Sequence, residues 1–409
     1  YNNPFQNDGI TLVGAPNSAI TDYYDNNPVV DITQVPQEIQ NAMTKGAGST
    51  NYTDPNFKLP SSWRTQLGFD LMFDVPVLGN NFKWTSEVMY HVKENEAVWK
   101  NTAIKPVGLA ADGERVINES IYTGDLEDNF DIMMTNAEDN GRSIILSTAL
   151  AKEWDNGIGI TMSYAHQDVT ENQAGSSSRA QSNYKHNVIK NRNEDMVARG
   201  HYEVEHSFKM TFSYNTELFA GYKTQFNAFF ERRSGRPYST VMGMYKDDDF
   251  GDTVDFYKNS AYLAYLPTGA DDPNVNWEES DLSWDELSVL MQQAGVSPTG
   301  SIVDRNTGTQ PWLTTLDISI KQEFPGFVKG HKGQLFFMID NFANLLNDDW
   351  GVEKRLSYPN QALYDLGGLD DQGRYIIDPR FDGADTRNYN TIVKSSSSWQ
   401  MKVGLNYKF

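Results

Sequence analysis

The most constraining feature of this chain is the alternation in its final stretch. Trp399, Met401, Val403, Leu405, Tyr407 and Phe409 are apolar or aromatic; Gln400, Lys402, Gly404, Asn406 and Lys408 between them are not. A period of two fits a β-strand, whose successive side chains point to opposite faces. The same period recurs upstream. Phe82, Trp84, Val88, Tyr90 and Val92 form one such row, and Ile158, Ile160, Met162 and Tyr164 another. Phe208, Met210, Phe212 and Tyr214 follow, then Trp312, Leu316, Ile318 and Ile320. Charges, glycines and hydroxyls fill the alternate positions.

Two architectures accept this pattern. A soluble antiparallel sandwich buries the apolar face and wets the other. A membrane β-barrel turns the apolar face to lipid and the polar face to a lumen. Composition narrows the function more than the fold. With 34 Lys+Arg against 55 Asp+Glu, the formal charge of −21 leaves no basic face for nucleic acid. The absence of cysteine removes disulfides, thiolate metal sites and a Cys nucleophile. No run approaches the roughly 18 uncharged apolar residues of a membrane-spanning helix.

Connection lengths favour the barrel. Asp155-Asn156-Gly157 is a tight hairpin signal between segment 143–154 and the strand starting at Ile158. Segments 62–75 and 81–93 meet around Pro76-Val77-Leu78-Gly79, and 200–214 and 220–232 around Asn215-Thr216-Glu217. Segments 310–323 and 333–342 meet through residues 325–330. Between these short turns lie long connections at 94–141, 169–199, 233–309 and 343–396. Strict alternation of short and long is the asymmetry of an outer-membrane barrel, with short periplasmic turns and long external loops.

The expected fold class is therefore all-β, an antiparallel transmembrane β-barrel. About nine strands are expected over residues 62–409, the last running inward to leave Phe409 at the periplasmic rim. Residues 1–61 are expected to be an external loop segment. The chain opens Tyr1-Asn2-Asn3-Pro4, without a leader pattern. An odd strand count and a start inside a loop point to the C-terminal part of a larger barrel.

Several stretches also carry a family resemblance. Phe230-Glu231-Arg232-Arg233-Ser234-Gly235-Arg236-Pro237-Tyr238, Tyr265-Leu266-Pro267-Thr268-Gly269 and Asp271-Asp272-Pro273-Asn274-Val275 resemble motifs of TonB-dependent outer-membrane receptors, specifically the Oar-like group. So does the segment from Asp340 to Gly351. The C-terminal row Trp399, Met401, Val403, Leu405, Tyr407 and Phe409 is similar to the signal read by the barrel-assembly machinery. The resemblance implies a 22-stranded barrel closed by an N-terminal plug, with TonB, ExbB and ExbD as the energy-coupling partners. Neither a plug domain nor a TonB-contacting segment is expected within residues 1–409. The implied function is passage of a bulky solute, peptide or protein across the outer membrane. The alternative is a surface interaction or assembly protein whose acidic loops anchor an extracellular partner. A soluble all-β binding domain or hydrolase stands third.

Candidate sites are few. Asp247, Asp248, Asp249 and Asp252 crowd one segment, and Asp365, Asp370, Asp371, Asp378, Asp382 and Asp385 another. Either could hold Ca²⁺ in an external loop or be solvated surface bridged by cations to lipopolysaccharide. No other cofactor is expected. The six histidines show no metal-ligand spacing on one face, and His91 and His166 are lumen or rim candidates. Glu278-Glu279 says nothing of carboxyl separation, and no G-x-S-x-G, P-loop or G-x-G-x-x-G motif is present, so no catalysis is expected. Ser283-Trp284-Asp285-Glu286 reads as a capping box opening a short helix over 283–295. It grips a ligand or caps neighbouring loops. Trp63, Trp84, Tyr90, Trp154, Trp312, Trp399 and Tyr407 fit an interfacial girdle better than a carbohydrate platform.

Overall fold

The computed structural model of the chain describes residues 49–124, 127, 129–219, 221–244, 250–251, 261–355, 360–380 and 391–409. It is mostly β, with large antiparallel sheets. Nine strands of the largest sheet follow one another in chain order. They are β1 (Ser61–Val75), β2 (Gly79–Glu94), β3 (Arg142–Glu153), β4 (Ile158–Glu171) and β5 (His206–Phe219). They continue with β6 (Tyr222–Arg233), β7 (Leu313–Pro325), β8 (Lys332–Asp340) and β9 (Gln400–Lys408). A two-residue strand, Ala198–Arg199, adds to the end of β4. Each neighbouring pair is antiparallel. Among the described residues β1 pairs only with β2, and β9 only with β8.

The hairpins follow from local chemistry. Gly157 takes φ 87°, which lets Trp154 N donate to Ile158 O at 2.8 Å across the three-residue turn. The turn expected around Asn215-Thr216-Glu217 lies farther on. Asn215 and Thr216 stay in register with Gln225 and Thr224, and pairing ends at Phe219–Tyr222. Gly221, at φ 80°, supplies the left-handed residue that the chain needs there. At its other end β5 starts at His206 rather than near residue 200, because 200–205 form an irregular stretch between Ala198–Arg199 and His206, both of which pair with β4.

Register gives the sheet two distinct faces. One row runs Leu71–Trp84–Leu150–Met162–Met210–Phe230–Leu316 across seven strands. Another links Ile318, Ile339 and Met401. The opposite face carries Asp70, Thr85, Thr161, Lys209, Glu231, Ser319 and Lys402. At Gly404 on this face a Cβ would stand 2.1 Å from the Phe336 ring, so glycine is what lets the ring lie across β9. The rows slope: Leu71 lies near the short-turn end of β1, whereas Leu316 lies near the opposite end of β7. Such stagger accompanies strand tilt, and among the described residues the sheet stays open, with no closed barrel.

The hydrophobic core sits elsewhere, in the long connections. Pro237–Met244, Tyr262–Leu263, Gly308–Thr309, Asn360–Leu369 and Tyr375–Asp378 form a five-stranded sheet. Val241, Met242, Leu263, Leu363, Leu366 and Ile377 are fully buried there. The connection between β2 and β3 contributes Ala97–Asn101 and Asp131–Asn136, which pair with each other, and Asp131–Asn136 also pairs with Thr50–Thr53. Arg115, also fully buried, donates to Leu263 O at 2.5 Å and lies over the Phe250 and Tyr262 rings at 5.0 and 5.2 Å. The helix Trp284–Ala294 is capped as its sequence dictates. Ser283 Oγ accepts from Glu286 N, the Glu286 carboxylate accepts from Ser283 N at 3.0 Å, and Gly295 ends the helix in the left-handed region. Leu287 and Met291 bury its inner face, so it packs on the layer's core. The connections read as loops thus form a folded layer at one end of the nine-stranded sheet.

Candidate functional site

The most unusual surface is the apolar face of the long sheet. Leu67 is 78% exposed, Val403 64% and Leu405 65%. Exposed apolar side chains also occur on β2, β3, β4, β5, β7 and β8, among them Val88, Leu150, Met162, Phe208, Ile320 and Leu335. Single exposed apolar residues are ordinary, but a continuous face of them marks an interaction surface. Rings border it at both ends. Trp63, Tyr90, Trp312 and Trp399 stand toward the long connections. Phe73 and Phe82 stack at 5.8 Å toward the short turns, and Phe82 meets Trp154 edge-on at 6.2 Å. Indole N–H groups on this surface have partners: Trp84 Nε1 donates to Thr148 Oγ1 and Trp154 Nε1 to Leu78 O, both at 2.8 Å. At the short-turn end of β9, Tyr407 OH accepts from Phe327 N at 3.0 Å and lies 3.1 Å from His331 Nδ1.

The reverse face is wet. Lys209 pairs with Glu231 at 3.5 Å and Lys402 with Asp340 at 2.7 Å. Thr85 Oγ1 donates to Asp70 Oδ1 at 2.5 Å. His91 lies on this face, opposite Arg64 in register. His166 instead lies on the apolar face, at the rim beside the long connections.

The motif stretches noted in the sequence are staples where strands enter the layer. Tyr265 OH donates to Asp272 at 3.1 Å, and the same carboxylate accepts from Thr268 N at 2.7 Å and Asn274 N at 2.9 Å. Burial, above all, pushes the Tyr265 phenol up to about 12, so it stays a donor. Asn341, at φ 52°, donates to Gly351 O and Ser397 O at 2.8 and 2.7 Å, tying the ends of β8 and β9 together. Gly235 lies against Gln310, where a Cβ would meet the carbonyl oxygen at 2.1 Å.

A cavity of about 290 Å³ opens between layer and sheet, lined in part by Glu171, His186, His201, Arg305 and Asn306. Arg305 donates to Glu171 O at 2.7 Å, Met196 O at 2.6 Å and Asn187 Oδ1 at 3.2 Å. Burial lowers its guanidinium to about 10 and His201 to about 4. The Arg305 guanidinium is thus spent on protein acceptors and braces the cavity wall.

Of the acidic candidates, Asp247, Asp248, Asp249 and Asp252 lie outside the described residues, as do Asp382 and Asp385. Asp370 is engaged by its own turn: it accepts from Gln372 N at 2.9 Å, Arg374 N at 2.8 Å and Arg374 Nε at 2.7 Å. Asp365 pairs with Arg380 at 3.2 Å, and Asp378 accepts from Asp281 N at 3.2 Å. These carboxylates answer protein donors separately and do not converge on one point. Glu279 accepts from Asn276 Nδ2 at 3.0 Å, a local turn contact.

Sequence spacing missed one constellation. Strand register sets His206 opposite His166, and with Glu205 their ligand atoms all lie within 4.8 Å of one another. Forty residues separate the two histidines in the chain, so only pairing could reveal them. Comparison of the chain with family models, with curated proteins and with solved structures gives no match.

Proposed function

We propose that the nine-stranded sheet is wall of an outer-membrane β-barrel, with its apolar face on lipid and its polar face on a lumen. One observation carries the reading: the exposed apolar face spans the sheet while the hydrophobic core lies in the layer at its end. In water each such Leu or Val would forgo up to about 1.5–3 kcal/mol of burial. The strands have 9 to 16 residues, enough to cross hydrocarbon. The ring borders suit the two interfaces, and the sloping rows suit tilted strands.

On that wall we place the function implied by the family resemblance, a TonB-dependent receptor of Oar-like type moving a bulky solute, peptide or protein. The folded layer would select the cargo, a plug would gate the lumen, and TonB with ExbB and ExbD would supply the pull. Its surroundings would be outer-membrane lipid and lipopolysaccharide, and its final strand the handle for the barrel-assembly machinery. The layer's own core also favours a second reading, a surface that anchors an extracellular partner.

The chain has no native cysteine, so single cysteines at Val403 and Lys402 test the wall directly. In native envelopes a lipid-dissolved maleimide should label the first and an aqueous one the second. Aqueous labelling of both, with the protein in the soluble fraction, would refute the barrel. Cross-linking to TonB in the producing cells tests energy coupling separately.

A further inference from the structure

We infer that His166, Glu205 and His206 form a binding site for a zinc-class divalent metal ion at the rim of the sheet. The two imidazoles stack with their planes 29° apart and ring centroids 5.1 Å apart. Glu205 Oε1 is 3.4 Å from His206 Nε2. Ligand atoms about 2.0–2.1 Å from a tetrahedral zinc stand roughly 3.3 Å from each other, so one edge is nearly in place. The set of two nitrogens and one carboxylate oxygen suits zinc, nickel or copper rather than Ca²⁺.

The partners of these side chains present the right lone pairs. His166 Nδ1 lies 3.0 Å from the Glu205 carbonyl, which can only accept. The proton is therefore on Nδ1, and in the neutral ring Nε2 offers its lone pair. His206 Nδ1 lies 2.9 Å from Tyr164 OH. Donation from that nitrogen to the phenol oxygen leaves Nε2 free toward Glu205. Arg199 donates to Glu205 Oε2 at 2.8 Å, which orients the carboxylate with Oε1 to the histidines. Trp312 stacks on His206 at 5.9 Å and 10°, fixing the ring plane. Metal-binding histidines characteristically spend their second nitrogen in this way. A plain Glu205–His206 ion pair would need neither the His166 contact nor its orientation. All three side chains are half-buried, so solvent can deliver the ion. Three protein ligands leave a fourth position for water or an incoming anion.

The test is Co²⁺ titration of the purified, chelator-treated full chain, followed in the visible spectrum, with Zn²⁺ competition against a colorimetric indicator. One equivalent with tetrahedral Co²⁺ bands is expected. His166→Gln and His206→Gln should each weaken binding at least about 10-fold, and Tyr164→Phe about 10-fold through loss of ring orientation. His91→Gln should leave it unchanged. X-ray absorption of the zinc-loaded wild-type protein gives a reading that needs no variant: two imidazoles in the shell support the site. An all-oxygen shell, or affinity indifferent to His166→Gln and His206→Gln, overturns it.

Discussion

Leu405→Arg separates lipid from water as the solvent of the apolar face. Leu405 lies within β9, 65% exposed, opposite Leu335 and on the same face as Val403. Against water, an arginine at so open a position changes stability by no more than about 0.5 kcal/mol. Near the middle of a bilayer the same change costs about 2–4 kcal/mol, falling to about 0–1 near the interfaces. The larger figure corresponds to a roughly 30- to 700-fold shift in the folding equilibrium. Val403→Arg should behave alike, and Trp399→Arg, at the rim, should cost less. Lys402→Leu is the control on the other face; it removes the 2.7 Å pair with Asp340, an exposed contact worth at most about 1 kcal/mol. The assay is guanidinium unfolding of protein folded into phosphatidylcholine vesicles, followed by tryptophan fluorescence. A Leu405→Arg protein within about 0.5 kcal/mol of wild type would refute the assignment of this face to hydrocarbon.

Other expectations concern the turns and the layer. Gly157→Ala must accept φ 87° and place a Cβ 2.0 Å from Asn215 O; a loss of about 1–3 kcal/mol is expected in the same unfolding assay. Ser283→Ala removes the helix cap and should cost about 0.5–2 kcal/mol, seen as faster amide exchange in Trp284–Ala294. Burial holds His201 at about 4 against 6.5 in the free chain, so the unfolded chain takes up more protons between those values. Thermal stability should fall as pH drops from 6.5 toward 4, and His201→Gln should flatten that slope.

What the sequence disclosed was periodic or local. The Trp399–Phe409 alternation, the Asp155-Asn156-Gly157 turn and the Ser283–Glu286 box each declare themselves within a few residues. The β5 turn was misplaced because Asn215-Thr216-Glu217 is polar enough for a turn, while cross-strand pairing of Asn215 and Thr216 outweighs that preference. The layer escaped notice because its strands are short and distant in sequence: Pro237–Met244 pairs in parallel with Asn360–Leu369. Its core residues, such as Val241 and Leu363, obey no single period. The His166–His206 meeting needed a register that no spacing rule supplies.

The outermost strands of the long sheet have a consequence for assembly. β1 and β9 each leave one flank of peptide groups without a strand partner among the described residues. Within hydrocarbon every such group forgoes several kcal/mol, so lipid cannot tolerate a raw margin. If the sheet is barrel wall as proposed, insertion and lateral zipping would have to be one event, and the seam at β9 would be where a folding catalyst or a short competing peptide acts.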